Sequence, residues 1–303
     1  MNTDESSSWY KPKLLFYDTF GKLSKLRRDY ILCDVIIKVN NKEFHAHKNV
    51  LAASSPYFEA MFLSGMVESH QQEVTLQGVD ANAFDAIMGM IYDGQVCIST
   101  ENVQSLLATA SIFQIDHLKH ACSEFLQKHL APHNCLGIKS FAEAHGCRNL
   151  VQAAHRHGLL HFSKVSISEE FFRLGLDQIM EYLSCDNLKV ESEEQVFDAA
   201  IRWIGYDSVK RSKYIAKILH LVRLPLLSPQ MLADKVKINP LVCQNIECRD
   251  LVDEALISYL LPERKATISS HKLRERKCLV NTGVIFAVGG LSSQGGTLSS
   301  VEK

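Results

Sequence analysis

The sequence predicts an α+β domain over roughly its first 130 residues and an all-α domain behind it, with a short strand-forming segment at the end. Three observations carry this reading. Before residue 100, short β-branched runs interleave with helical ones; from residue 101 apolar residues recur almost wholly at helical spacing; and Ala131-Pro132 breaks the chain between the two regimes. With 303 residues, 46% hydrophobic and 22% charged, the composition is ordinary for two domains that each bury a core, and disorder as the global state is excluded.

Beyond a polar leader, residues 1–14, Leu15, Phe16, Phe20, Leu23 and Leu26 recur at three to four residues and predict a helix with little nearby sequence to pack on. Cys33 to Val39 is β-branched, Asn40-Asn41 tolerates positive φ, and Lys42 to Ala46 alternates, which together predict a hairpin. Ser55-Pro56 opens a helix over Tyr57 to Leu63 that Gly65 can stop. A strand over Glu73 to Leu76, a helix from Ala83 to Tyr92 ending at Asp93-Gly94, and a small strand over Val96 to Ile98 come next. Val103, Leu106, Leu107, Ala110 and Phe113 mark one buried helix face, and a second helix covers about Asp116 to His129.

Helical stretches are then expected near 135–144, 149–161, 176–183, 193–206, 211–222, 229–237 and 249–260, with Ser192-Glu193-Glu194-Gln195 as a capping box. Residues 262–281 are charged and lack apolar periodicity, so they read as a linker. Its Lys272 to Lys277 run reads as a solvated segment. Val284 to Val288 predicts a strand ending at Gly289-Gly290, and Leu298 to Val301 the start of another.

Several function classes lose support at this stage. Thirty-three basic against 34 acidic side chains give a net charge of −1, with no broad attraction for nucleic acid or anionic lipid. Nine cysteines at irregular spacing read as reduced, buried thiols of a cytosolic or nuclear protein, and Cys243 with Cys248 lacks a second pair for a zinc knuckle. No basic start with an apolar run marks a signal peptide, and no apolar stretch approaches the roughly 18 residues of a membrane span.

His45-Ala46-His47 places two imidazoles on one strand face without a carboxylate or thiol nearby in sequence, so packing or hydrogen bonding is the default over metal ligation. His155 and His157, two apart on a helix, diverge. The motifs of nucleophilic hydrolases, zincins and nucleotide-binding loops are missing, and nothing favours a pair of acid/base carboxylates. No catalytic residue, metal site or cofactor is therefore assigned.

A family resemblance rests on separate runs. Leu32-Cys33-Asp34-Val35, Phe44-His45-Ala46-His47-Lys48, Val50 to Phe58 and Ala60-Met61-Phe62 resemble the signature of the BTB domain. Asn134 to Ile138 with Phe141-Ala142-Glu143, and Ser192 to Phe197 with Ala200 and Trp203, resemble the BACK domain. Ala287-Val288-Gly289-Gly290-Leu291 resembles the start of a Kelch blade. The order is that of the Kelch-like adaptors, with a BTB domain over 15–130, a BACK domain over 131–261, a linker over 262–281 and an incomplete first Kelch blade over 282–303.

The resemblance implies a non-enzymatic adaptor, a homodimer or heterodimer through BTB, that brings a substrate to a cullin-3 ubiquitin ligase. The family's cullin contact, a hydrophobic residue, any residue, then glutamate, matches Met66-Val67-Glu68; Met66 offers an adaptable apolar anchor and Glu68 an orienting charge. Asp34 and Lys48 match a charged pair near the dimer pocket and equally read as an ion pair pinning hairpin to helix. Leu15, Phe16, Phe20, Leu23 and Leu26 are the expected dimer face, and Gly289 and Gly290 the turn of the blade. A propeller needs several four-stranded blades, so substrate delivery is expected only of a full-length form. The alternatives are a BTB-type transcriptional regulator, which would want a zinc-finger array or a basic helix, and a cytoskeletal scaffold. The expected location is cytoplasmic, with nuclear presence also allowed, and neither nucleic acid nor membrane is an expected partner.

Overall fold

The computed structural model describes residues 15–63, 65, 70–261, 263, 269–277, 287–288 and 301–302. Their contacts form two units: the first runs to Leu130 and takes in Ile138–Ala153, and the second takes Ala131–Gly137 and continues from Ala154.

In the first unit, α1 (Leu15–Arg28) precedes the hairpin β1 (Val35–Val39) and β2 (Lys42–Ala46). β1 is central in a three-stranded sheet, antiparallel to β2 from Val35↔Ala46 to Val39↔Lys42, and parallel to β3 (Glu73–Leu76) from Ile36↔Glu73 to Val39↔Leu76. Successive side chains of a strand point to opposite faces, so alternate residues go inward: Val35, Ile37, Val39, Phe44, Ala46, Val74 and Leu76 are buried. Asn40 supplies the positive φ of the turn, at 53°.

A helix that the apolar pattern does not announce, α2 (Lys48–Ser54), comes after the hairpin. Then α3 (Pro56–Leu63) starts as expected, with the Ser55 hydroxyl donating to the Phe113 carbonyl at 2.6 Å and accepting from the Phe58 N–H at 3.4 Å. α4 (Ala81–Asp93) is capped by the Asp80 carboxylate, which accepts from the Asn82 and Ala83 N–H groups. It stops at Gly94, whose φ of 74° few side chains would tolerate. α5 (Val103–Ile112) packs against α4 and against α6 (Asp116–Lys128). Phe58 and Phe113 stack at 5.0 Å, with Phe84 edge-on to Phe113 at 5.5 Å and to Phe44 at 4.9 Å. Val96–Ile98 is not a strand: its residues favour extended backbone, but a ladder also needs a partner edge, and none pairs with it among the described residues.

The second unit is helical. α7 (Cys135–Ala144) and α8 (Arg148–Leu160) lead into it, α9 (Leu176–Ser184), α10 (Glu193–Tyr206) and α11 (Ile246–Leu260) are its longer members, and short helical turns fill the intervals. Ile179, Leu183, Val196, Phe197, Trp203, Ile218 and Val252 form its core. The Trp203 indole donates to the Leu174 carbonyl at 3.0 Å, and the Arg211 guanidinium lies 4.1 Å over its ring. Asn245 accepts from the Cys248 N–H at 3.0 Å, which starts α11 three residues earlier than its apolar pattern suggests.

Two expectations fail here. Ser192 precedes α10 but its side chain makes no capping bond; Gln195 turns back to the Glu191 N–H instead, at 3.4 Å. The Lys272 to Lys277 run is not simply solvated, because Arg276 is paired with Glu193 and only 2% of its side chain is exposed. At the end, β4 (Ala287–Val288) pairs antiparallel with β5 (Val301–Glu302), within or beside the two stretches expected to form strands. Val284 to Phe286, Gly289 and Gly290 lie outside the described residues.

Candidate protein-interaction site

The expected dimer face begins with α1. Its serine-bearing side is fixed to the body: Ser24 is buried, its hydroxyl donates to Asp93 at 2.5 Å, and Arg28 reaches both the Ser24 hydroxyl at 3.1 Å and Asp93 at 3.7 Å. The remaining side carries apolar residues outward. Leu15 is 55% exposed and Phe20 42%, while Leu23 and Leu26 are half-buried; the side chain of Phe16 lies outside the described residues. Beside Phe20, a groove of about 740 Å³ is lined by Met90, Ile91, Val96, Ile98 and Leu118.

The turn after α1 extends this apolar surface with residues that the sequence pattern alone does not single out. Tyr30, Ile31 and Leu32 are all exposed, Leu32 at 77%. Tyr30 and Leu32 adopt φ of 59° and 60°, a conformation that costs a non-glycine residue about 1–2 kcal/mol. The signal was available as three consecutive apolar residues directly after a helix with a basic end.

What holds the turn is His47. Its backbone N–H donates to the Tyr92 hydroxyl at 3.0 Å, its Nδ1 lies 2.9 Å from the same hydroxyl, and its Nε2 lies 3.1 Å from the Ile31 carbonyl. A carbonyl can only accept, so Nε2 carries the proton and Nδ1 accepts from Tyr92; the tautomer is inferred from these partners. Burial pushes the Tyr92 hydroxyl pKa up to about 12, although the His47 N–H partly opposes it, so the hydroxyl stays protonated and can donate. His45 instead packs against Tyr30, ring centroids 4.5 Å apart. Each imidazole thus has its own packing or hydrogen-bonding partner. Cys33 lies 3.9 Å from His47 Nε2, yet burial raises its thiol pKa more than Arg27 lowers it, so the pair is not arranged as an activated nucleophile.

Asp34 and Lys48 do meet. The Asp34 carboxylate accepts from the Lys48 backbone N–H at 2.7 Å, satisfying a free donor at the first turn of α2, and the Lys48 ammonium lies 5.6 Å over the Phe62 ring. A carboxylate fourteen residues upstream therefore serves α2 where His47, in the N-cap position, makes no side-chain capping bond. Met66, Val67 and Glu68 lie outside the described residues, between Gly65, which takes φ 71°, and His70.

The eight described cysteines are free; Cys122, Cys135, Cys147 and Cys248 are buried, whereas Cys97 and Cys243 are exposed against expectation. Burial raises Cys122, Cys135 and Cys248 to about 11, so these thiols stay protonated. Among the described residues no group of three or more His, Cys, Asp or Glu could hold a metal, and no helix is long and apolar enough to cross a membrane.

Comparison with known proteins agrees with this architecture. The model of the BTB/POZ domain matches residues 23–130, and that of the BACK domain (BTB And C-terminal Kelch) residues 135–237. Human Kelch-like protein 17 is 42% identical over 281 residues, 93% of this chain and 44% of the relative. Its mouse and rat counterparts are 41% identical over the same span. The chain thus spans less than half the length of the curated relatives it matches. The solved BTB domain of zebrafish PATZ1 aligns over 99% of its own chain and 40% of this one, with 27% identity and a TM-score of 0.37. An α+β BTB domain followed by a helix-rich BACK domain, together with 42% identity to a Kelch-like protein over 93% of this chain, makes the chain a member of the Kelch-like BTB–BACK family.

Proposed function

We propose that the chain is a non-enzymatic adaptor that dimerises through its BTB domain and docks on cullin-3 as part of a ubiquitin ligase. The observation that carries the reading is the BACK match starting at residue 135 directly behind a BTB match ending at 130, the order of the Kelch-like adaptors. Exposed Leu15, Tyr17 and Phe20 on α1, with Tyr30 to Leu32 beside them in sequence, support a second copy as the dimer partner. A stable interface of this kind buries upwards of about 2,000 Å² in total. The proposal includes the cytoplasm as its place of action and substrate delivery only by a chain with a complete propeller. Asn102 to Leu107 and Cys248 to Ala255 are similar to Kelch-like family member eighteen, and that finer kinship belongs to the proposal.

Met66-Val67-Glu68 is the proposed cullin contact. Loss of a buried anchor at an interface costs at least about 2 kcal/mol, more than tenfold in affinity. Titration calorimetry of the dimer against the N-terminal region of cullin-3 tests this. Met66→Ala with Glu68→Ala should bind more than tenfold weaker, about 1.4 kcal/mol or more. Equal affinity in a variant that stays dimeric would remove the contact from the proposal.

A further inference from the structure

Residues 269–277 lie beyond the last long helix, in a stretch whose charge and lack of periodicity read as a linker, yet they are held against the helical unit by an ordered set of polar contacts. Every N–H of the Arg276 guanidinium has an acceptor. Nε and Nη2 make paired bonds to the two Glu193 oxygens at 2.8 and 2.7 Å, Nη1 donates to the Leu183 and Cys185 carbonyls at 2.8 and 2.9 Å, and Nη2 donates also to the Leu221 carbonyl at 3.1 Å. Both side chains of the pair are 2% exposed. A second arginine grips the run from below: Arg223 donates from Nη1 to the Arg274 carbonyl at 2.6 Å and pairs with Asp186, which His271 approaches to 3.6 Å.

What the run lacks is an apolar anchor. Its one large apolar residue, Leu273, is only half-buried. The helices beneath have their own core around Leu183, Val196, Phe197 and Trp203. Glu193 also keeps partners that do not belong to the run: its Oε1 accepts from the Arg223 backbone N–H at 2.9 Å, and it sits in the first turn of α10, where the helix favours negative charge. Lifting the run away therefore exposes carbonyls and one carboxylate to water rather than uncovering hydrophobic core.

We propose that residues 269–277 form a strap whose main latch is Arg276 in its Glu193 socket, with Arg223 on the Arg274 carbonyl as a second hold, and that the latch can open while the helical unit stays folded. Closed, the strap fixes the point at which the chain leaves the unit at Lys277. Open, it adds nine residues of tether, roughly 30 Å when extended. On the adaptor reading, on which this consequence alone rests, the latch decides whether the chain beyond Lys277 is presented rigidly or on a leash.

Limited trypsin digestion of the full chain, with fragments assigned by mass and helicity followed by circular dichroism, tests the latch without any ligase component. Cleavage after Lys272 and Arg274 should be slow in the parent. It should rise by about tenfold or more in Arg276→Gln while helicity is kept, because proteolysis reports local opening. Since that variant leaves Glu193 without its countercharge, the paired variant Arg276→Gln with Glu193→Gln removes both charges and should show the same rise. Unchanged cleavage in the paired variant would overturn the latch. So would loss of helicity in step with cleavage in that variant, because the strap would then be part of the core.

Discussion

The surface around α1 and the socket of Arg276 break the inside-out rule in opposite directions. In the first, Leu15, Tyr17, Phe20 and Tyr30 to Leu32 leave apolar area in water; in the second, Glu193 and Arg276 take opposite charges out of it. The difference lies in what each can accept. Apolar area contributes about 25 cal/mol per Å² wherever it is covered, with little regard to direction, so the α1 surface suits an extended interface tolerant of apolar exchange. A buried charge repays its desolvation only through geometry, and the Glu193 socket fits a planar fork with five donors. Lysine would carry the charge at 276 but could not fill it.

The comparison is broken most strongly by charge on the apolar side. Leu23→Asp with Leu26→Asp puts two carboxylates at half-buried positions of α1, each losing apolar burial and gaining a desolvation cost of several kcal/mol if it stays covered. Light scattering and circular dichroism should find a monomer or an unfolded first unit; a folded dimer would mean that α1 is not the seam.

A subtler change separates strain from contact. Leu32→Asn replaces an exposed residue at φ 60° by one that tolerates the left-handed region, and should leave stability unchanged or raise it by up to about 1 kcal/mol. If the strained turn is kept for association, the same variant should dimerise more weakly in sedimentation experiments. Unaltered dimerisation with higher stability would release Tyr30 to Leu32 from the interface.

The smallest effect is expected from pH. Burial, reinforced by His161, holds His157 below the ordinary histidine pKa of about 6.5, and burial with Lys119 does the same for His145. As pH falls through that value the unfolded chain takes up protons that the folded one refuses, so stability is complete above it and declines below. Urea unfolding at pH 7.5 and 5.5 should show the decline, reduced in His157→Gln; a flat profile would mean that neither ring titrates differently on folding.

Local signals are legible in the sequence because local physics writes them. The three-to-four spacing of Leu15 to Leu26, the Asn40 turn and the Ser55-Pro56 start each depend on neighbours within a few residues. What escapes depends on distant partners. α2 lacks a capping side chain of its own and draws on Asp34, Val96–Ile98 finds no strand to pair with, and Arg276 pairs with a glutamate 83 residues away. The candidate site divides the same way. The exposed face of α1 is legible from its pattern, but the strained turn that continues it depends on a histidine sixteen residues further on.

The mixed sheet carries a consequence for the order in which the first unit assembles. Ile36 pairs with His45 nine residues along the chain and with Glu73 thirty-seven along, across a connection that holds α2 and α3. Closing the short loop costs less entropy, and a parallel neighbour needs its crossover in place, so the β1–β2 hairpin precedes the docking of β3. Truncating a buried β3 side chain, as in Val74→Ala, should then speed unfolding and leave the folding rate nearly unchanged in stopped-flow traces. A folding rate that slows in proportion to the lost stability would place β3 in the nucleus. With β3 docking last, Val74 and Leu76 are the last inward-facing residues of this sheet to be covered.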